Sequence, residues 1–189
     1  MIDVRRSASV ILSGMLLWGC VDGSTPSGPA ALRSPDQGLT AANFPSNVTV
    51  RFGVDEHGSP FPPADGHDGS GHARDHVYPR EVVIARGGSV TFKIDLVHQV
   101  AVYEPGVQPT DIEVSPATLE DVDLGPFVLP NFRINDPTNR IVLGPPQQLF
   151  DQEWTTPPGT FDAPGRYLVI CTTVPHFVGS NMWAWVTVK

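Results

Sequence analysis

The C-terminal stretch "YLVICTTVPHFVGSNMWAWVTVK" carries three side chains that seldom gather for packing reasons. Cys171, His176 and Met182 stand in a C-x4-H-x5-M pattern between two apolar, strand-like runs. Thiolate, imidazole and thioether all bind soft or borderline metals. The alternation on either side predicts a strand-loop-strand unit, which sets its two ends side by side and lets the loop fold back over them. Cys171 then ends one strand, His176 lies in the loop and Met182 opens the next strand. The competing explanation is packing: an inert buried thiol and a flexible filler of the core.

A closed site needs one more nitrogen. In "HQVAVYE", His98 shares a face with Val100 and Val102, so it points the way core residues point and is the best candidate. Two imidazoles, one thiolate and a weak axial thioether are the donors copper uses for electron transfer. Thiolate and thioether suit Cu(I), imidazole serves both oxidation states, and fixed donors need move little between them. Zinc also accepts two histidines and a cysteine, but has no use for a distant thioether.

A second group lies in "HGSPFPPADGHDGSGHARDH", which holds His57, His67, His72 and His76 with Asp65, Asp68 and Asp75. Such density can bind another metal or recruit one for the main site, and His72 and His76, with three residues between them, are the best-spaced pair. It can equally be a solvated loop, or one packed beside the first site.

The elements that must position these residues are strands. "NVTVRFGV" alternates with Val48, Val50 and Phe52 on one face, and "REVVIARGGSVTFKIDL" reads as two strands around Gly87 and Gly88. In the C-terminal pair, Tyr167, Val169 and Cys171 share a face, as do Met182, Ala184, Val186 and Val188, with Trp183 and Trp185 as packing residues on the other. Residues 104–160 are irregular. There "RIVLG" predicts a short strand and "SPATLEDVD" a short helix, with Ser115 as N-cap and Pro116 at the first helical position. Many short strands, 20 prolines, 18 glycines and little helical periodicity predict an all-β, antiparallel Greek-key sandwich or barrel with a long irregular insertion.

Ahead of this domain, Arg5 and Arg6 precede the apolar "ASVILSGMLLW", the pattern of a signal peptide over residues 1–19. "LWGC" resembles the lipobox of bacterial lipoproteins, which makes Cys20 the lipidated first mature residue. Residues 20–46, rich in Ser, Pro, Gly, Ala and Thr, read as a flexible tether, leaving 47–189 as the folded domain. Cys171 is then a lone thiol in an exported protein, with no partner for a disulfide. A formal charge of −8 argues against nucleic acid or anionic lipid as the main partner. Membrane contact is expected only through the anchor.

"VVIARGGSVTFKIDLVHQV" and "FDAPGRYLVICTTVPHFVGSNMWAWVTV" together resemble the cupredoxins, the plastocyanin- and azurin-like blue copper proteins, over roughly residues 47–189. The resemblance implies one type 1 copper per chain, with His98, Cys171 and His176 as equatorial ligands and Met182 axial. It makes His176 the ligand nearest solvent and the electron port, with Phe177 and Val178 in the surrounding apolar patch. Two departures stand out. The family often has Asn after the first histidine, where its side chain ties the ligand loops together, and this chain has Gln99. The five residues between His176 and Met182 are a longer span than in small members of the family. Pro175 removes an amide N–H near the thiolate, where hydrogen bonds tune the potential.

The expected function is an exported, lipid-tethered one-electron carrier, monomeric, in the periplasm or at the cell surface, serving transient redox partner proteins. The alternative is a copper-scavenging or delivery protein with residues 55–77 as collector. An enzyme would need a further open catalytic metal. No Ser-His-acid set, phosphate loop or paired-carboxylate motif stands out.

Overall fold

The computed structural model describes residues 44–55, 58 and 74–189. The signal segment, Cys20, most of the tether, and His57, His67 and His72 lie outside the described residues. The described chain is built of β1 (Asn47–Val54), β2 (His76–Tyr78), β3 (Glu81–Ile84), β4 (Ser89–Ile94), β5 (Val100–Pro105), β6 (Leu119–Asp123), β7 (Val128–Ile134), β8 (Arg140–Leu143), β9 (Gln152–Thr155), β10 (Gly165–Cys171) and β11 (Trp183–Val188). One sheet runs β2-β1-β4-β9 and the other β3-β11-β10-β5-β8, with β6 and β7 as a separate hairpin.

Period-two alternation builds the core. Val50 and Phe52 of β1, Phe92 of β4, Val102 of β5, Val169 of β10 and Val186 of β11 come from both sheets into one sealed apolar layer. Phe92 sits at its centre, edge-on to Phe52 at 5.8 Å and stacked on Trp154 at 5.7 Å. The opposite face of the five-stranded sheet is also covered. Leu168, Ile170 and Trp185 pack there with Tyr103, Ile112 and Ile134 in a second apolar layer. Trp183 and Trp185 are packing residues, as expected from their alternation, and Arg80 and Arg166 lie over their rings at 5.5 and 4.0 Å.

The sandwich is all-β, and most pairings are antiparallel. Two are parallel: β1 with β4 and β3 with β11. The strands around Gly87 and Gly88 do not pair with each other, because β3 and β4 belong to different sheets. The turn between them is a corner. A Cβ on Gly88 would lie 2.8 Å from the carbonyl oxygens of both Ala85 and Ser46, so no larger residue fits the crossing.

The insertion departs most from expectation. Ser115 does open a hydrogen-bonded turn, accepting from the Thr118 and Leu119 amides at 2.9 and 3.0 Å. No helix follows. Leu119–Asp123 becomes β6 and pairs with β7, because a strand partner close in sequence outweighs a weak helical start. Residues Gln152–Thr155, expected as loop, form β9 against β4. The hairpin reaches the C-terminal loop: the Ile134 amide donates to Thr172 O at 2.8 Å, and Arg133 bridges to Thr173.

Phe92→Ala should cost about 3–5 kcal/mol in stability, since its cavity would open between two aromatic neighbours. Urea unfolding followed through tryptophan emission measures this, and a loss below about 1 kcal/mol would contradict the placement of the core.

Candidate metal centre

The Cys171 end of β10 and the start of β5 are neighbours, with Cys171 opposite Val100. That register places His98, two residues before Val100, near the end of β10 that Cys171 closes. Side chains then lock the junction. Thr172 donates its amide to Gln99 O at 2.8 Å and its hydroxyl to Gln99 Oε1 at 3.0 Å, while Gln99 Nε2 donates to Gly144 O at 3.1 Å. Thr173 Oγ1 donates to Val97 O at 2.8 Å. Gln99 is buried and ties three segments together, the task expected of an asparagine at this position.

Between β10 and β11 the chain makes one wide helical turn, Pro175–Gly179, with five residues closing on i→i+5-type bonds. Thr173 O accepts from the amides of both His176 and Phe177 at 3.0 Å, which turns the His176 ring inward. Met182 closes the loop: its amide donates to His176 O at 3.0 Å and its carbonyl accepts from Cys171 N–H at 2.9 Å. The long span from His176 to Met182 is thus taken up by helical winding. Met182 is fully buried in the same apolar layer as Cys171.

Two of the candidate donors face each other directly. Cys171 Sγ lies 3.8 Å from His176 Nδ1. A metal bound to sulfur at about 2.3 Å and nitrogen at about 2.05 Å, with about 120° between them, holds those atoms about 3.8 Å apart. The rings of His98 and His176 are 4.6 Å apart, centre to centre. His98 Nδ1 contacts the Asp95 carbonyl, and because a carbonyl only accepts, Nδ1 must be the protonated nitrogen. Its Nε2 is then a lone-pair nitrogen, sealed from solvent and without a hydrogen-bond partner. Such an atom is open to a hydrogen-bond donor or a cation.

Electrostatics agree. Burial, reinforced by the neighbouring His176, pushes the His98 imidazole down to about 4, so it is neutral near pH 7. Burial pushes the Cys171 thiol up to about 11, although hydrogen bonds from Thr173 and the Gln99 backbone pull it back. The thiol therefore keeps its proton until a metal displaces it. Copper fits this donor set of thiol, thioether and two imidazoles.

Gly53 sits behind His98. Its φ is +91°, and a Cβ there would lie 2.5 Å from Asp95 Cβ and 3.0 Å from His98 Cε1. The β1–β2 ladder slips register at this residue, a bulge that lets the strand pass the imidazole.

Two features were not legible beforehand. Phe177, expected in an exposed patch, is buried in the second apolar layer, because the helical turn points it at the β6–β7 side. Val178 remains 60% exposed, and the His176 side chain, at 12%, is the most exposed of the two histidines, cysteine and methionine only by a narrow margin. The other is Asp75, at the edge of the histidine-rich segment. Its Oδ1 lies 3.5 Å from His176 Nε2 and 3.9 Å from His98 Nε2. The His/Asp-rich segment named it, and a loop packed beside the first site was one reading of that segment, but nothing in the sequence singled out Asp75 as the residue that reaches the two histidines. His76 opens β2 opposite Val54, half-buried.

No family model matches the sequence, and no curated protein matches it either. Among solved structures the chain is similar to dithionite-reduced auracyanin from Roseiflexus castenholzii, at 18% identity over 77% of this chain and 98% of that one, with a TM-score of 0.45. It is also similar to oxidised plastocyanin from Dryopteris crassirhizoma, at 18% identity over 75% and 100%, with a TM-score of 0.31. A copper-containing nitrite reductase from Thermus scotoductus matches at 17% identity over 76% of this chain but 22% of its own, with a TM-score of 0.34.

Gly53→Ala should push His98 off its position and weaken copper binding at least tenfold, in titrations followed by a competing chelator. Gln99→Ala should lower stability by about 1–3 kcal/mol by leaving Thr172 and Gly144 O without their partner. Unchanged copper affinity in the glycine variant would show that His98 is not held from behind.

Proposed function

We propose that this chain is an exported one-electron carrier that holds a single copper ion through His98, Cys171 and His176, with Met182 as the axial donor. The observation that supports it most is a fully buried thiol facing one imidazole at 3.8 Å, beside a second imidazole whose inward nitrogen has no partner. When bound, copper supplies one-electron chemistry between Cu(II) and Cu(I).

The residues do the rest. Both sides of the donor set are braced, His98 by Asp95 O and Gly53, and Cys171 by the β5–β10 ladder. Donors so held keep one spacing whichever charge the ion carries, which keeps reorganisation small. The amide bonds to Cys171 Sγ from Gln99 and Thr173 stabilise its negative charge, and Pro175 next in the chain offers none. Electrons enter or leave beside His176, with exposed Val178 as an apolar contact for a transient partner. The acidic surface assists encounter with a basic partner. Residues 1–19 act as a lipoprotein-type signal, and Cys20 with the tether to residue 46 keeps the monomeric domain near a membrane, in the periplasm or at the cell surface.

Copper-loaded protein should show an intense thiolate-to-copper visible band and a narrow copper hyperfine splitting in EPR. Cys171→Ser should abolish the band, whereas Met182→Leu should keep it and raise the reduction potential. A loaded wild-type protein without that band would overturn the proposal.

A further inference from the structure

Asp75 is not part of the copper reading, yet it faces both histidines. One donor atom each from Asp75, His98 and His176 lies within 4.8 Å of the other two, and all three residues are largely buried. The two measured edges are 3.5 and 3.9 Å. A tetrahedral cation with bonds of about 2.1 Å places its ligands about 3.4 Å apart, so the gap needs only a slight contraction to close. Ser180 Oγ donates to Asp75 Oδ2 at 3.3 Å, which leaves Oδ1 as the oxygen turned to the rings.

We propose that Asp75, His98 and His176 form a three-donor site for a divalent cation of Zn²⁺ type, one that does not require Cys171. Two observations carry it independently. The first is the convergence of a carboxylate on two imidazoles in a sheltered space. The second is His98 Nε2, a lone-pair nitrogen sealed from solvent in a residue 3% exposed, aimed into that space and without a hydrogen-bond partner. Asp95 O and Gly53 fix the ring, so the nitrogen cannot turn away.

The two faces of His176 divide the chemistry. Nδ1 faces the Cys171 sulfur and Nε2 faces the Asp75 oxygen. A single imidazole serves one cation on one face, so the thiolate mode and the carboxylate mode exclude each other. A soft ion draws the proton from the buried thiol and takes the sulfur side. A harder, borderline divalent ion finds two imidazole nitrogens and a carboxylate oxygen without having to ionise that thiol. Binding in this mode displaces no thiol proton and changes no oxidation state.

The site shares both histidines with the copper centre but does not depend on copper or on the thiol. The test is Zn²⁺ titration of the full chain by calorimetry, with Co²⁺ as an optical reporter. Wild type and Cys171→Ser should each bind one ion with similar affinity, Co²⁺ showing d–d bands without a sulfur charge-transfer band. Asp75→Asn should weaken that binding about a hundredfold in both backgrounds. It should leave the thiolate-to-copper band of the wild-type background in place, and a circular dichroism melt confirms that each variant folds. If Asp75→Asn binds Zn²⁺ as tightly as its parent, or if Cys171→Ser loses Zn²⁺ while Asp75→Asn keeps it, the three-donor site is overturned. Should Cys171→Ser fail to fold, a sulfur-to-cobalt band in the wild type overturns it on its own, and d–d bands lost in Asp75→Asn support it. Failure of the copper reading is separate: it shows as a missing copper band with Zn²⁺ binding intact.

Discussion

The pairing of β10 with β5 is the constraint on which everything else rests. Cys171 and His98 are far apart in sequence, and closing a loop of that length costs on the order of 4 kcal/mol of chain entropy. The ladder that sets Cys171 against Val100 repays this with backbone hydrogen bonds and apolar burial on both sheet faces. Period-two geometry then fixes orientation. A slip of one residue would turn Cys171 out of the core and Ile170 into it. The bonds among Thr172, Thr173, Gln99 and Val97 pin the register at the end of the ladder where the donors sit.

Those donors are held in a setting that is costly without a cation. His98 presents an unpartnered nitrogen, Cys171 is a thiol kept protonated by burial, and Asp75 brings a carboxylate within reach of two imidazoles. In a low-dielectric interior the unpartnered nitrogen is unfavourable by itself. Their donor atoms are of the types that bind cations. The cost is tolerated because two apolar layers, one on each face of the five-stranded sheet, supply ample burial around them.

The insertion between β5 and β9 is part of this support. Its β6–β7 hairpin covers the outer face of the sheet, and Ile134 bonds directly to the chain just past Cys171. Phe177, drawn into that layer, anchors the helical turn from the other side. The loop that carries His176 is therefore clamped between the hairpin and the strands that precede and follow it.

The strands on which the donors lie were legible in sequence because alternation is a local signal: Val50 and Phe52, Tyr167 through Cys171, and Met182 through Val188 face the core as their period demands. The candidate donors were legible too, since thiol, imidazole and thioether in one short segment are a chemical signature. What sequence left open depended on distant partners. Leu119–Asp123 and Gln152–Thr155 became strands because β7 and β4 offered free edges, a fact no local propensity encodes. The parallel pairings, the burial of Phe177 and the arrival of Asp75 beside two histidines follow from how the sheets stack. Periodicity tells a side chain which face to take; only the packed structure decides what stands opposite.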